Sequence, residues 1–144
     1  MKLFIRILPL LFMSVMINCS KSSSPGISIA GTWNVTSEST SGCTDASSNN
    51  SQIFACPATE SNSCQVITFK SNGTFTSVST YVASGTPTTT NINGTYSISG
   101  NKISTVSSGS SSSTDTFALS GNILTIISSK NSTTGCVFTI VMTK

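Results

Sequence analysis

From residue 31 onward, apolar residues recur at every second position in short runs, and this period excludes most helical architectures. A helix buries every third or fourth residue along one face; a strand buries every second. Eight such runs are read, at residues 31–36, 64–70, 74–82, 92–98, 102–106, 114–119, 123–127 and 136–142. In the fourth, Ile92, Gly94, Tyr96 and Ile98 share one face. Turn residues separate the runs: Asn72-Gly73, Ser84-Gly85-Thr86-Pro87, Gly100-Asn101 and Gly121-Asn122. These are hairpin signals. Short links between consecutive strands predict an up-and-down meander rather than a Greek key. Closing eight strands into a barrel removes the exposed edges. Such a barrel is wide enough to be filled by side chains or to hold one small ligand. The polar stretch at residues 37–63 is expected to be one long loop. Serine and threonine dominate the chain, but the spread of Val, Ile, Phe and Tyr argues against disorder.

The first eighteen residues follow a different pattern. Lys2 and Arg6 precede an apolar run from Ile7 to Ile17. A membrane-spanning helix needs about 20 apolar residues; this run is shorter and reads as a cleaved signal peptide over residues 1–18. Its exit, Met16-Ile17-Asn18-Cys19, resembles a lipobox, in which the cysteine takes a diacylglycerol and becomes the new N-terminus. Met16 and Asn18 depart from the usual Leu at −3 and Gly or Ala at −1. The resemblance implies acyl chains, palmitate among them, on Cys19, followed by a Ser-rich tether over residues 19–28. Such a tether buries no core and acts as a flexible spacer. The domain proper is expected at residues 29–144. The implied location is the bacterial envelope. Ser20-Lys21 lacks the Asp that retains some lipoproteins at the inner membrane, which points to the outer one.

Once the signal is removed, five lysines face four carboxylates and no arginine remains. That balance gives no basic cluster for nucleic acid. Histidine is absent, so no Ser-His or Cys-His dyad exists. Asp45 and Glu60 share the long loop without further support for paired-carboxylate chemistry. The chain is therefore expected not to be an enzyme and to carry no cofactor. Four cysteines remain: Cys43, Cys56, Cys64 and Cys136. No Cys-x-x-Cys spacing supports a metal site, and an oxidising compartment favours two disulfides.

Four segments in order resemble a family. Gly31-Thr32-Trp33 is similar to the Gly-x-Trp opening of lipocalins. Residues 67–76, ITFKSNGTFT, resemble a hairpin of bacterial lipocalin-like lipoproteins, and residues 94–103, GTYSISGNKI, and 117–126, FALSGNILTI, resemble the strand pairs that follow. The resemblance spans roughly residues 29–142 and implies an all-β, eight-stranded antiparallel barrel. It further implies a calyx lid formed by the first loop, and a small apolar ligand against Phe69, Phe75, Tyr96, Phe117 and Phe138. The chain lacks the lipocalin C-terminal helix and the arginine that covers the tryptophan. Lys144 is the nearest cation for a cation–π contact with Trp33. In a meander, Cys43, Cys64 and Cys136 fall at one barrel end with Cys56 in the loop there. Three pairings are formally open; adjacency of the first and last strands favours Cys43–Cys136 with Cys56–Cys64. The competing reading is a filled barrel that acts as a structural or partner-binding lipoprotein.

Overall fold

A computed structural model describes residues 27–109 and 111–144. The signal peptide at residues 1–18, Cys19 and the tether through residue 26 lie outside the described residues. The strands are β1 (Gly31–Ser41), β2 (Asn50–Ile53), β3 (Cys64–Phe69), β4 (Thr74–Ala83), β5 (Thr86–Ser99), β6 (Lys102–Ser107), β7 (Ser113–Ser120), β8 (Ile123–Ile127) and β9 (Val137–Thr143). From β3 to β9 each strand pairs antiparallel with the next; β1 pairs with both β3 and β9. The result is a closed eight-stranded meander barrel with β2 added beside β1.

The expected hairpins form. At the β3–β4 turn, Asn72 Oδ1 accepts hydrogen bonds from the Thr74 amide at 3.1 Å and hydroxyl at 2.7 Å. This local Asx-type bonding is what makes asparagine a turn residue. Two boundaries differ from expectation. The long stretch at residues 37–63 is not one loop: β1 continues to Ser41, and β2 pairs with it from Thr40↔Asn50 to Ser37↔Ile53. No apolar alternation marks these segments, because the barrel interior beside them is polar. The β4–β5 turn is also tighter than expected, with Pro87 already opposite Val82 in the ladder.

The alternating faces meet in a core of Ile29, Trp33, Val35, Phe54, Ile67, Phe69, Phe75, Ile103, Phe117, Leu124 and Met142. Except for Phe54, this core fills the end where the β3–β4, β5–β6 and β7–β8 hairpins turn; we call it the closed end. Gly94 lets two strands and a ring come together there. A Cβ at this position would collide with the Val106 carbonyl of β6 and the Phe75 ring of β4. A backbone approach this close is open only to glycine.

Trp33 seals the closed end. It is 1% exposed, and its indole Nε1 donates to the Ile29 carbonyl at 2.8 Å. Lys144 Nζ stands 4.4 Å from the ring centroid and donates to the Ala30 carbonyl at 3.1 Å. The expected cation–π pair is present, and Trp33 belongs to the core as well. Gly31 accommodates the lysine: its φ is +136°, and a Cβ there would lie 2.8 Å from the Lys144 side chain. First and last described segments thus meet over the same end.

Candidate functional site

The opposite end is open, and its polarity follows from one irregularity in β1. The β1–β9 register runs Val35↔Met142 and then Ser37↔Val141, leaving Thr36 as a bulge. A bulge inserts one residue and shifts the alternation of faces. Past it, Glu38 pairs with Ile140 and Thr40 with Phe138. Met142, Ile140 and Phe138 lie on one face of β9, the face on which buried Met142 enters the core. Paired residues project to the same side, so Glu38 and Thr40 line the interior. Without the bulge, Ser37 and Ser39 would take their places.

Polar residues line this half of the barrel from other strands too. Ser77 of β4 is buried, and the Gln65 side-chain amide donates to its hydroxyl at 3.2 Å. Asp115 of β7 pairs with buried Ile103, which places it on the inner face; Ser113 Oγ donates to its carboxylate at 3.1 Å. Two recesses open here and share Phe138. One, of about 540 Å³, is lined by Ser113, Asp115, Ser128 and the β8–β9 loop. The smaller, of about 60 Å³, lies among Glu38, Ser39, Thr40, Asn50 and Gln52.

Burial without a compensating partner pushes the Glu38 carboxyl above its ordinary value. The folded chain then holds this proton to higher pH than the unfolded chain does. Stability falls as pH rises from the unfolded value, about 4.3, through the raised folded one, and the penalty persists at neutrality. Glu38→Gln is expected to raise the unfolding midpoint at pH 7 and to leave it unchanged at pH 3. Urea titrations at the two pH values measure the difference.

Three ties hold the rim. Cys43–Cys136 joins the loop after β1 to the start of β9, and Thr44 N donates to the Thr134 carbonyl at 2.9 Å alongside it. Cys56–Cys64 closes the foot of the first loop onto β3. Glu60 Oε1 accepts from the Gly85 amide at 2.7 Å, fastening the loop to the β4–β5 hairpin. Both expected disulfides are therefore present. Phe54, 9% exposed, anchors the loop from within, and its amide donates to the Thr36 carbonyl at the bulge. The β1–β3 pairing stops at Asn34↔Val66, and β2 takes over the β1 edge beyond it. The first loop thus serves as part of the wall as well as rim.

Of the residues expected to meet a ligand, Phe69, Phe75 and Phe117 are buried in the closed-end core. Tyr96 packs edge-on against Phe69 at 5.0 Å, and its hydroxyl donates to the Lys70 carbonyl at 2.9 Å. Only Phe138, 38% exposed, reaches the open end. Glu38, Thr40, Asp115 and Gln52 were not singled out as site residues. The apolar alternation that marks inner faces is missing there, and one bulge reverses the parity. Among the described residues no group of acidic, cysteine or histidine side chains is placed to hold a metal ion.

A family model described as a lipocalin-like domain matches residues 29–139. No curated protein and no solved structure matches the chain.

Proposed function

The chain belongs to the lipocalin-like domain family, and from there we propose that the open end of its barrel binds a small amphipathic molecule. Phe138, shared between the two recesses, carries this reading. It offers one apolar face amid hydroxyls and the carboxylates of Glu38 and Asp115. A ligand with a short apolar part and an amine or hydroxyl head satisfies both; a purely apolar one leaves the carboxylates desolvated, which is costly. The role is binding, not catalysis. In the same reading the barrel is tethered through acylated Cys19 to the outer membrane of a bacterial envelope. The supporting observations are the apolar run before Cys19 and the Ser-rich stretch after it.

Native mass spectrometry with decylamine, decanol and decanoate tests the pocket. Decylamine is expected to bind tightest and decanoate weakest. Phe138→Ala is expected to weaken decylamine roughly tenfold, the equivalent of about 1.4 kcal/mol. Phe117→Ala should lower stability and leave the affinity of the folded fraction unchanged. Equal affinity for Phe138→Ala and the parent sinks the proposal. The mass of the N-terminal peptide from membrane-extracted protein tests the anchor: it should begin at Cys19 and carry acyl chains.

A second reading has its own observation. Ile53 of β2 is 67% exposed and Tyr81 of β4 is 48% exposed, and they flank a recess of about 410 Å³ beside Glu60. Exposed apolar groups on an added strand suit a protein partner. Ile53→Glu would abolish that contact and leave decylamine binding intact.

A further inference from the structure

We infer that the closed end of the barrel is a docking face for an anionic phospholipid surface, so that the open end points away from the membrane. The charges of the described residues are sorted by end. Lys70 follows β3 at its hairpin, Lys102 opens β6 at the next, and Lys144 follows β9 beside them. All three are exposed. Three of the four carboxylates lie toward the other end: Glu38 past the bulge, Asp45 in the loop after β1 and Glu60 against the β4–β5 hairpin. Asp115 faces the barrel interior on β7, one ladder step from Lys102, and borders the recess at the β8–β9 loop. Lys130 is the one described lysine among them. A barrel strand of ten residues, such as β4, rises about 3.3 Å per residue. The rim carboxylates of Asp45 and Glu60 therefore lie beyond the roughly 8 Å screening length at physiological salt. A surface touching the lysines is thus screened from Asp45 and Glu60 at the rim.

The entry of the chain points the same way. The described segment begins at Ile27 and lies across the closed end, where Ile27 to Ala30 border a recess of about 340 Å³ with Gly73, Tyr96 and Ile98. Ile27 itself is 52% exposed. The described chain therefore starts at the basic end. This goes beyond lipid anchoring, which fixes a point of attachment and no orientation. Basic side chains near an anionic bilayer strengthen association by roughly fivefold each.

Lysine acetylation of the full chain on vesicles tests the orientation. Vesicles of phosphatidylcholine are compared with vesicles that also contain phosphatidylglycerol. With phosphatidylglycerol at low salt, Lys70, Lys102 and Lys144 should react several-fold more slowly, and Lys130 should react at its free rate. High salt and the double variant Lys70→Glu/Lys102→Glu should each remove the protection at the remaining closed-end lysines. The same digest reports whether Cys19 is acylated, so a failure of anchoring is seen separately from a failure of orientation. Protection of Lys130 instead, or equal rates at all four lysines on both vesicles, overturns the inference.

Discussion

Replacing Cys43 and Cys136 together with serine is expected to lower the unfolding free energy by about 4.6 kcal/mol. The bridge closes a loop with a sequence separation of 93. Loop-closure entropy grows with the logarithm of the enclosed length, so a loop of this size removes far more freedom from the unfolded chain than a short one. Cys56–Cys64 spans a separation of 8, and its loss is expected to cost about 2.5 kcal/mol on the same scale. The long bridge also acts in the folded state. It pins β1 to β9 at the mouth, where inner faces are polar and little apolar burial holds the seam. The Cys43→Ser/Cys136→Ser variant should therefore unfold at lower urea and exchange its β9 amides faster than those of β4. Equal urea midpoints for the two double variants would contradict the loop-length argument.

Trp33→Ala is the second large effect, about 3–5 kcal/mol for a buried aromatic residue. Three losses coincide. The largest fully buried side chain leaves a cavity under the closed end, the Ile29 carbonyl loses its indole donor, and Lys144 loses the ring beneath it. Lys144→Ala removes only the last and should cost about 0.5–1 kcal/mol. The double variant should cost less than the sum of the two, since residues in contact are not additive. Trp33 is the chain's only tryptophan, so the transitions are followed by circular dichroism. A loss below about 1 kcal/mol for Trp33→Ala would mean that the closed end is not held as described.

Much of the barrel was legible because its lower half obeys the simplest rule available. From β3 to β9 the inner positions near the closed end are apolar and the turns carry Asn and Gly, so strands, order and core residues such as Ile67, Phe75 and Phe117 follow from alternation. For the cysteines, three pairings stayed formally open, and the adjacency of first and last strands in a closed meander favoured the one observed. What the sequence concealed lies at the mouth. Ser37 to Ser41 and Asn50 to Ile53 form strands through backbone pairing with little side-chain burial, and period-two analysis detects burial, not pairing. The bulge at Thr36 is set by contacts with β9 that are over a hundred residues away in sequence: Thr36 Oγ1 donates to the Val141 carbonyl at 3.0 Å. Of the aromatics expected to meet a ligand, Phe69, Phe75 and Phe117 are buried in the core and Phe138 lies at the open end. Their height in the barrel, which separates Phe138 from Phe117, depends on strand stagger that periodicity does not carry.

The Cys43–Cys136 bridge has one more consequence. It turns everything from β2 to β8 into a covalent ring, with β1 and β9 as two arms leaving the same knot. A protease that cuts a ring opens it without dividing it. Cleavage in the exposed Ser-rich connection between β6 and β7 leaves one molecule, heavier by a water, whose arms still close the barrel wall. A domain nicked there thus remains one molecule for as long as its surroundings stay oxidising.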